Sequence, residues 1–153
     1  MPSFSCSSEL PVSAGKFLTT LTMDGVNAEL GPLVHMTAPE SFLGHSILEW
    51  PVKRQLFSSW ILLFGFLPID RHRFFFAAIN PNEGFSERST SWTNKRWCHD
   101  RSVVTLQSGC RVKDTVNYRS RIPFLDVLLK PAYRLVFRWR HRNLRRRYGE
   151  LAS

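Results

Sequence analysis

Cysteine is scarce in this sequence, and its spacing is not that of paired ligands. The 153 residues contain only Cys6, Cys98 and Cys110. An odd number of widely separated cysteines argues against a disulfide framework and against a zinc site. We therefore expect a reducing compartment, the cytoplasm, as the natural location of this protein.

Long apolar runs are missing too. The most apolar stretch, residues 60–69, is closed by Pro68 and Asp70. At about ten residues it is half as long as a membrane-spanning helix must be. The first residues lack a basic segment followed by an apolar run, so we expect no signal peptide.

Nucleotide-binding and hydrolase motifs are also absent. The sequence contains neither of the common glycine-rich phosphate-binding motifs and no Gly-x-Ser-x-Gly. The five histidines show no metal-ligand spacing with cysteines or carboxylates. We therefore expect no metal and no cofactor.

Acidic residues are sparse outside the N-terminal third. Residues 1–52 contain one basic residue and five acidic ones, which gives a net charge of −4. Because the whole chain carries +9, residues 53–153 carry +13. Such asymmetry suits contact with an anionic surface, either a membrane or a nucleic acid. A charged, solvated face that maintains solubility explains it equally well. Nucleic acid is the less favoured partner, because no DNA- or RNA-reading element is evident.

The N-terminal part predicts one strand followed by two short helices. The strand covers residues 3–10. Ser13 is placed to cap a helix ending near Leu21, and Asp24 to cap a second helix that Gly31-Pro32 ends.

From residue 57 onward, apolar and polar residues alternate between tight turns, a pattern typical of antiparallel strands. Residues 38–56 are interrupted by prolines and a glycine, and we leave them unassigned as a candidate lid. Strands are predicted at residues 33–37, 57–66, 72–80, 85–92, 96–107 and 110–122, with turns at 68–71, 81–84, 93–95 and 108–109.

The last long element is a predicted helix over residues 124–148, with Gly149 as its stop signal. Its first half has an apolar stripe that would cover the sheet. Its second half is rich in arginine, and we expect it to be exposed. The candidate contacts with an anionic surface are Arg138, Arg142, Arg145 and Arg146.

Four ionisable residues fall on one face of the predicted strands: Glu87, His99, Arg101 and Asp114. In a cavity they would form a polar patch, with His99 as proton donor or acceptor and Asp114 or Glu87 fixing its orientation. The alternative is a set of cross-strand salt bridges in solvent, because a one-residue shift in register would turn all four outward.

The order of the predicted elements resembles the helix-grip fold of the START-related SRPBCC superfamily. The resemblance covers nearly the whole chain, and it is most specific at residues 59–70, 84–89, 96–101, 111–114 and 137–142. It implies an α+β fold in which a curved antiparallel sheet of about seven strands wraps around a long C-terminal helix. It also implies a cavity for a hydrophobic ligand. A minority of the superfamily cyclise or dehydrate polyketides.

The leading interpretation is a cytoplasmic protein whose residues 1–153 form a single ligand-binding domain. Its ligand would be a lipid, a quinone or an aromatic polyketide-like molecule. The alternatives are a polyketide cyclase or dehydratase-like enzyme that uses His99 with Asp114 or Glu87, and an adaptor for anionic surfaces. The candidate ligand-binding residues are Trp60, Phe64, Glu87, Trp97, His99, Arg101, Asp114, Tyr118, Leu129, Tyr133 and Phe137.

Overall fold

Seven strands and three of the four helices follow one another in the order that the sequence predicts, and the additional helix, α3, lies in the segment left unassigned. The structure, a computed structural model, describes residues 1–151. A short 3-10 helix, Ile47–Glu49, separates α3 from β3. The elements are β1 (Ser3–Leu10), α1 (Ala14–Leu18), α2 (Met23–Leu30), β2 (Val34–Met36), α3 (Glu40–Leu43), β3 (Gln55–Leu63), β4 (Leu67–Asn80), β5 (Gly84–Ser91), β6 (Asn94–Leu106), β7 (Gly109–Ser120) and α4 (Leu125–Tyr148).

The strands form one antiparallel sheet in the order β1-β7-β6-β5-β4-β3-β2. Consecutive strands from β2 to β7 are neighbours, and β1 returns to the edge beside β7. The sheet curls into a half-barrel, and α4 lies along its concave side. The predicted fold class, α+β with two short helices after the first strand and a long C-terminal helix, is confirmed.

Apolar side chains fill both ends of the space between the sheet and the helices. At one end, Phe17 of α1 packs with Leu10, Val112 and Leu144. At the other, aromatic residues of β4 pack around Trp50. The structure thereby assigns residues 38–56, which form α3, the 3-10 helix and a loop that carries the buried Trp50.

Two local predictions are wrong. The N-cap of α2 is Thr22, whose hydroxyl accepts a hydrogen bond from the backbone N–H of Gly25, whereas Asp24 lies in the first turn. The predicted turn at 68–71 belongs to β4, and the chain reverses at 64–66. Pro68 is tolerated in this strand because β4 pairs with β5 only from His72 onward, which leaves its outer edge free.

The long helix begins and ends as predicted, but its two halves are buried in the opposite sense. In the first half Val127 and Leu128 are exposed. In the second half Arg140, His141 and Leu144 are buried against the sheet and α2. The prediction of an exposed second half is wrong, because buried carboxylates pair with the polar side chains on this face of the helix.

Candidate ligand-binding cavity

A cavity of about 170 Å³ lies between the concave face of the sheet and helices α2 and α4. Its walls are mainly apolar, with Met23 and Leu30 from α2, Phe74 and Phe76 from β4, and Phe137 from α4. An apolar cavity of about 150 Å³ is large enough to hold benzene in another protein. This space therefore accommodates a single ring or a short aliphatic segment.

A row of three ionisable side chains crosses one wall of the cavity. His72, Glu87 and His99 come from the adjacent strands β4, β5 and β6, and Glu87 is the direct cross-strand partner of His99. Nε2 of His72 donates to Oε2 of Glu87 at 2.6 Å, while Nδ1 of His99 lies 3.6 Å from Oε1. All three residues are at most 5% exposed. We call them the His-Glu-His row.

Behind the row, Asp114 of β7 accepts four hydrogen bonds. Its Oδ1 accepts from Nε of Arg101 at 2.8 Å and from Nε2 of His99 at 2.7 Å. Its Oδ2 accepts from Nη2 of Arg101 and from Nε2 of His141, both at 2.8 Å. The His141 ring is held on its other side by the hydroxyl of Ser8, 2.7 Å from Nδ1. Both oxygens of this fully buried carboxylate are thereby satisfied.

Glu29 of α2 closes the network from the helical side. Its carboxylate accepts from both terminal nitrogens of Arg101, at 3.0 and 2.7 Å, and from Nε and Nη2 of Arg140. A continuous chain of contacts thus runs from α4 through α2, β6 and β7 to the His-Glu-His row.

The charges of this network explain its proton affinities. Glu29, Glu87 and Asp114 face only two guanidinium groups, so one protonated histidine would neutralise the network. Burial opposes the charged form of His99, but its hydrogen bond to Asp114 and the negative charge there outweigh burial and raise its pKa above the ordinary 6.5.

The buried carboxylates shift in the opposite direction. Burial alone would raise their pKa values, but nearby positive charge and hydrogen bonds outweigh it. The charge and hydrogen bond of His72, together with the charge of His99, lower the pKa of Glu87. The Arg101 guanidinium holds the pKa of Asp114 well below its usual range. Arg101 and Arg140 lower the pKa of Glu29 in the same way.

A second polar group lines the cavity nearer α4. Nδ2 of Asn94 donates to the hydroxyl of Tyr133 at 2.7 Å. Among residues 1–151, Oδ1 of the buried Asn94 has no hydrogen-bond partner. Burial raises the pKa of Tyr133 to about 12, so its hydroxyl keeps its proton at physiological pH.

Comparison with known protein families assigns this chain to one of them. Residues 8–148 match a family described as a domain of unknown function, DUF8410. The chain belongs to the DUF8410 family. A comparison of this DUF8410 protein with curated proteins finds no match.

Solved structures share the fold of the DUF8410 chain at low sequence identity. Protein CV1439 from Chromobacterium violaceum superposes with a TM-score of 0.74 at 11% identity, covering 99% of this chain and 100% of its own. A START superfamily protein from Mycobacterium smegmatis gives 0.61 at 10% identity, covering 95% and 96%. DynU16, a protein from the dynemicin biosynthetic locus, gives 0.58 at 10% identity, covering 97% and 49%. The predicted helix-grip fold is confirmed.

The predicted site residues of the DUF8410 protein fall into three groups. The first lines the cavity: Glu87, Trp97, His99, Tyr133 and Phe137. In the second group, Arg101 and Asp114 support the wall from behind, and Tyr118 and Leu129 belong to the cluster that packs under α4. The four ionisable residues on the predicted strands are all buried on the concave side of the sheet. This excludes the alternative that they form salt bridges in solvent.

Trp60 and Phe64 form the third group, and the structure contradicts their placement in the cavity. Trp60 lies on the outer face of the sheet, where its ring is 5.1 Å from that of Trp92 and the guanidinium of Arg71 covers it. Phe64 lies in the turn between β3 and β4 and is 59% exposed. Residues 60–64 are all apolar, so alternation assigned no face to Trp60, and Phe64 lies at 64–66, where the chain reverses before the predicted turn.

Sequence reasoning missed His72, Glu29, Asn94, Arg140 and His141. His72 alternates with Phe74 and Phe76 on β4, so the period of two could have identified it as inward-facing. Glu29 and Arg140 carried no comparable signal, because only the packing of α2 against α4 brings them together. His141 meets Asp114 and Ser8 only because α4 packs on the sheet.

The arginines predicted to contact an anionic surface do not share one environment. Arg138, Arg142 and Arg146 are exposed, and Arg142 lies over the ring of Trp139 at 5.2 Å. Arg145 is half-buried and donates to the hydroxyl of Ser8. Of the four residues, three therefore remain available for an external partner.

The cavity region shows no metal-binding arrangement within residues 1–151, where no group of three or more His, Cys, Asp or Glu side chains has the required geometry. Over the same range, no helix combines the length and the apolar character that crossing a bilayer requires.

Proposed function

We propose that this DUF8410 protein binds a small amphipathic molecule, with residues 1–153 acting as one ligand-binding domain. The apolar body of the ligand would lie among the aromatic side chains of β4 and α4. Its polar group would meet the His-Glu-His row or the Asn94–Tyr133 pair. The observation that carries this proposal is an apolar cavity of about 170 Å³ with only a few, clustered polar side chains in its wall.

The hydrogen-bonding capacity of the row supports a polar group at that wall. Nδ1 of His72 has no hydrogen-bond partner among residues 1–151, and Nδ1 of His99 lies too far from Glu87 for a good bond. A ligand hydroxyl would either donate to Nδ1 of His72 or accept from Nδ1 of protonated His99, whereas a ligand carbonyl would accept only from protonated His99.

Charge balance favours a neutral polar group over a carboxylate. Arg101 donates to Glu29 and Asp114, and Arg140 donates to Glu29 through Nε and Nη2, so both positive charges are already paired with buried carboxylates. Glu87 and Asp70 would repel such an anion from the cavity wall. Phenols, alcohols and ketones, including the ring of a quinone or polyketide, are therefore the ligand class that we expect.

A matched pair of compounds tests this function. 4-Propylphenol and 4-propylbenzoate share an apolar body, but only the second is anionic at neutral pH. We expect calorimetry to show saturable binding of the phenol. His99→Gln should weaken it about tenfold, the worth of one good buried hydrogen bond. His35→Gln, at an exposed position, is the matched control.

A ligand that co-purifies with the protein from its host provides a second test of binding. Native mass spectrometry of freshly purified protein should show a neutral hydrophobic adduct. The function is rejected if no adduct is seen and no compound in a panel of phenols, quinones and lipids raises the melting temperature.

An enzymatic activity is the second candidate, and the geometry of His99 favours it. Asp114 fixes Nε2 of this ring, and His99 lines the cavity, as in a positioned acid–base pair. The raised pKa of His99 suits a general acid that protonates the leaving hydroxyl of a β-hydroxy ketone, which departs as water, while the neighbouring carboxylate of Glu87 would take the α proton. Turnover of a β-hydroxy ketone that falls in His99→Gln by far more than the tenfold loss of affinity would support it. Binding without turnover across such substrates would exclude it.

A further inference from the structure

Large apolar side chains are exposed together at one end of the molecule, where β3, β5 and β7 end and α4 begins. Each is at least half exposed, and the most exposed are Phe66 at 74% and Val127 at 76%. We call this set the mouth surface, and it consists of Phe64, Phe66, Ile69, Trp92, Val127 and Leu128. Exposed apolar groups on this scale mark an interaction site.

Hydrogen bonds between the connecting segments hold this end together. The N–H of Trp92, between β5 and β6, donates to the carbonyl of Arg71 in β4. The N–H of Arg121, after β7, donates to the carbonyl of Thr93. Because β4 pairs with β5 only from His72 onward, the β3–β4 hairpin projects beyond its neighbour by roughly 17 Å.

The mouth surface reaches the opening of the cavity at Ile69. Ile69 belongs to both, since it lines the cavity and is 50% exposed. Across the opening, Leu128, Leu135 and Trp139 lie on one stripe of α4. The indole N–H of Trp139 donates to the carbonyl of Gly31, just before β2, so this stripe faces the side of the sheet that carries the projecting hairpin.

Basic residues surround these apolar groups. Residues 64–71, 92–96 and 119–134 contain seven arginines and lysines and two aspartates. Both aspartates are engaged locally, Asp70 by the N–H groups of Arg71 and Thr93, and Asp126 by Ser120. The end of the molecule is therefore apolar at its tips and positive around them.

We propose that the mouth surface docks onto a lipid bilayer that contains anionic lipid. Phe64, Phe66 and Val127 would enter the boundary between headgroups and acyl chains, and the surrounding basic residues would meet the phosphates. The exposed apolar side chains match the acyl-chain region of the bilayer, and the basic residues around them match its negatively charged headgroups.

The spacing along α4 fits the depth of such an interface. Arg134 follows Val127 by seven residues, or about 10 Å of helix. Interfacial segments bury their apolar face by about 5–10 Å, so Arg134 reaches the headgroups when Val127 is inserted. This docking requires no ligand in the cavity and stands apart from the function proposed above.

Vesicle co-sedimentation of the full chain tests the proposal. Binding is expected on vesicles of phosphatidylcholine with phosphatidylserine, weakly on phosphatidylcholine alone, and less at high salt. The double variant Phe64→Ser/Phe66→Ser should weaken partitioning at least tenfold, because two exposed aromatic side chains lose their apolar insertion. Val104→Ser is the matched control, since Val104 is 49% exposed near the β6–β7 turn at the opposite end.

Three results would overturn docking through this surface. One is the absence of binding to either vesicle. Another is binding that persists in the double variant but is lost in Arg138→Gln/Arg142→Gln/Arg146→Gln, which would assign the contact to the basic face of α4. The third is sedimentation-velocity evidence that the protein dimerises through the mouth surface and that the double variant is monomeric.

Discussion

Arg101 and Asp114 are direct cross-strand partners on β6 and β7, and they share two hydrogen bonds of 2.8 Å with both groups fully buried. Hydrogen bonds from neighbouring buried side chains stabilise this pair. Glu29 holds the far side of the guanidinium, and two histidines hold the carboxylate. Removing one member therefore leaves charge unpaired in the interior, which costs far more than an exposed pair contributes.

Replacing Asp114 should be severe. Asp114→Asn removes the charge that balances Arg101 and leaves donors of His99 and His141 without an ionised acceptor. We expect a loss of about 3–5 kcal/mol in the free energy of unfolding, measured by urea denaturation.

The matched control is Asp100→Asn, which breaks the partly exposed pair with Arg88. Exposed pairs contribute about 0–1 kcal/mol, so this variant should resemble the wild type. Equal losses in the two aspartate variants would contradict the structural role of the buried network.

The pH dependence of stability should show a maximum under mildly acidic conditions. The folded pKa of Glu87 and Asp114 is lowered, so their contribution is present above about pH 4 and lost as the pH falls further. The folded pKa of His99 is raised, so its contribution is present below 6.5 and lost as the pH rises through the folded value.

Thermal melts between acidic and mildly alkaline pH check this prediction. In His99→Gln the decline on the alkaline side should become shallower, while the acidic side remains. His45→Gln, at an exposed position, should keep the wild-type profile. A profile of His99→Gln that retains the full alkaline decline would assign that decline to another group.

Filling the cavity should separate binding from stability. Val136 of α4 lines the cavity, and Val136→Phe places a ring in the space that a ligand would occupy. We expect ligand affinity to fall at least tenfold with a melting temperature equal to or above that of the wild type, because the cavity loses empty volume. Val127→Phe, on the exposed side of the same helix, should leave calorimetric binding unchanged.

The start of β5 should tolerate only glycine. Gly84 has a φ of 135°, and a methyl group there would collide with the carbonyl oxygen of Arg101. Gly84→Ala should reduce the free energy of unfolding by about 3 kcal/mol through backbone strain and overpacking. In contrast, Gly44→Ala meets open space and should be nearly neutral in the same denaturation experiment. Similar stability of the two variants would contradict this close approach of β5 and β6.

The sequence predicted much of the fold because local signals agreed along the chain. The alternation from β5 to β7 correctly turned Glu87, His99, Arg101 and Asp114 to one buried face. The same reasoning failed at Trp60, because residues 60–64 are all apolar and show no alternation that could assign a face.

By itself, the sequence determined the element order, the inward face of the central strands and the extent of α4. Helical and strand periodicities are local properties, and they extend over many residues. Tertiary structure alone decided that Glu29 meets Arg101 and Arg140, that the arginine-rich half of α4 is buried on one side, and that exposed apolar residues gather at the cavity opening. These outcomes depend on how α2 and α4 sit on the curled sheet, and sequence spacing does not encode that packing.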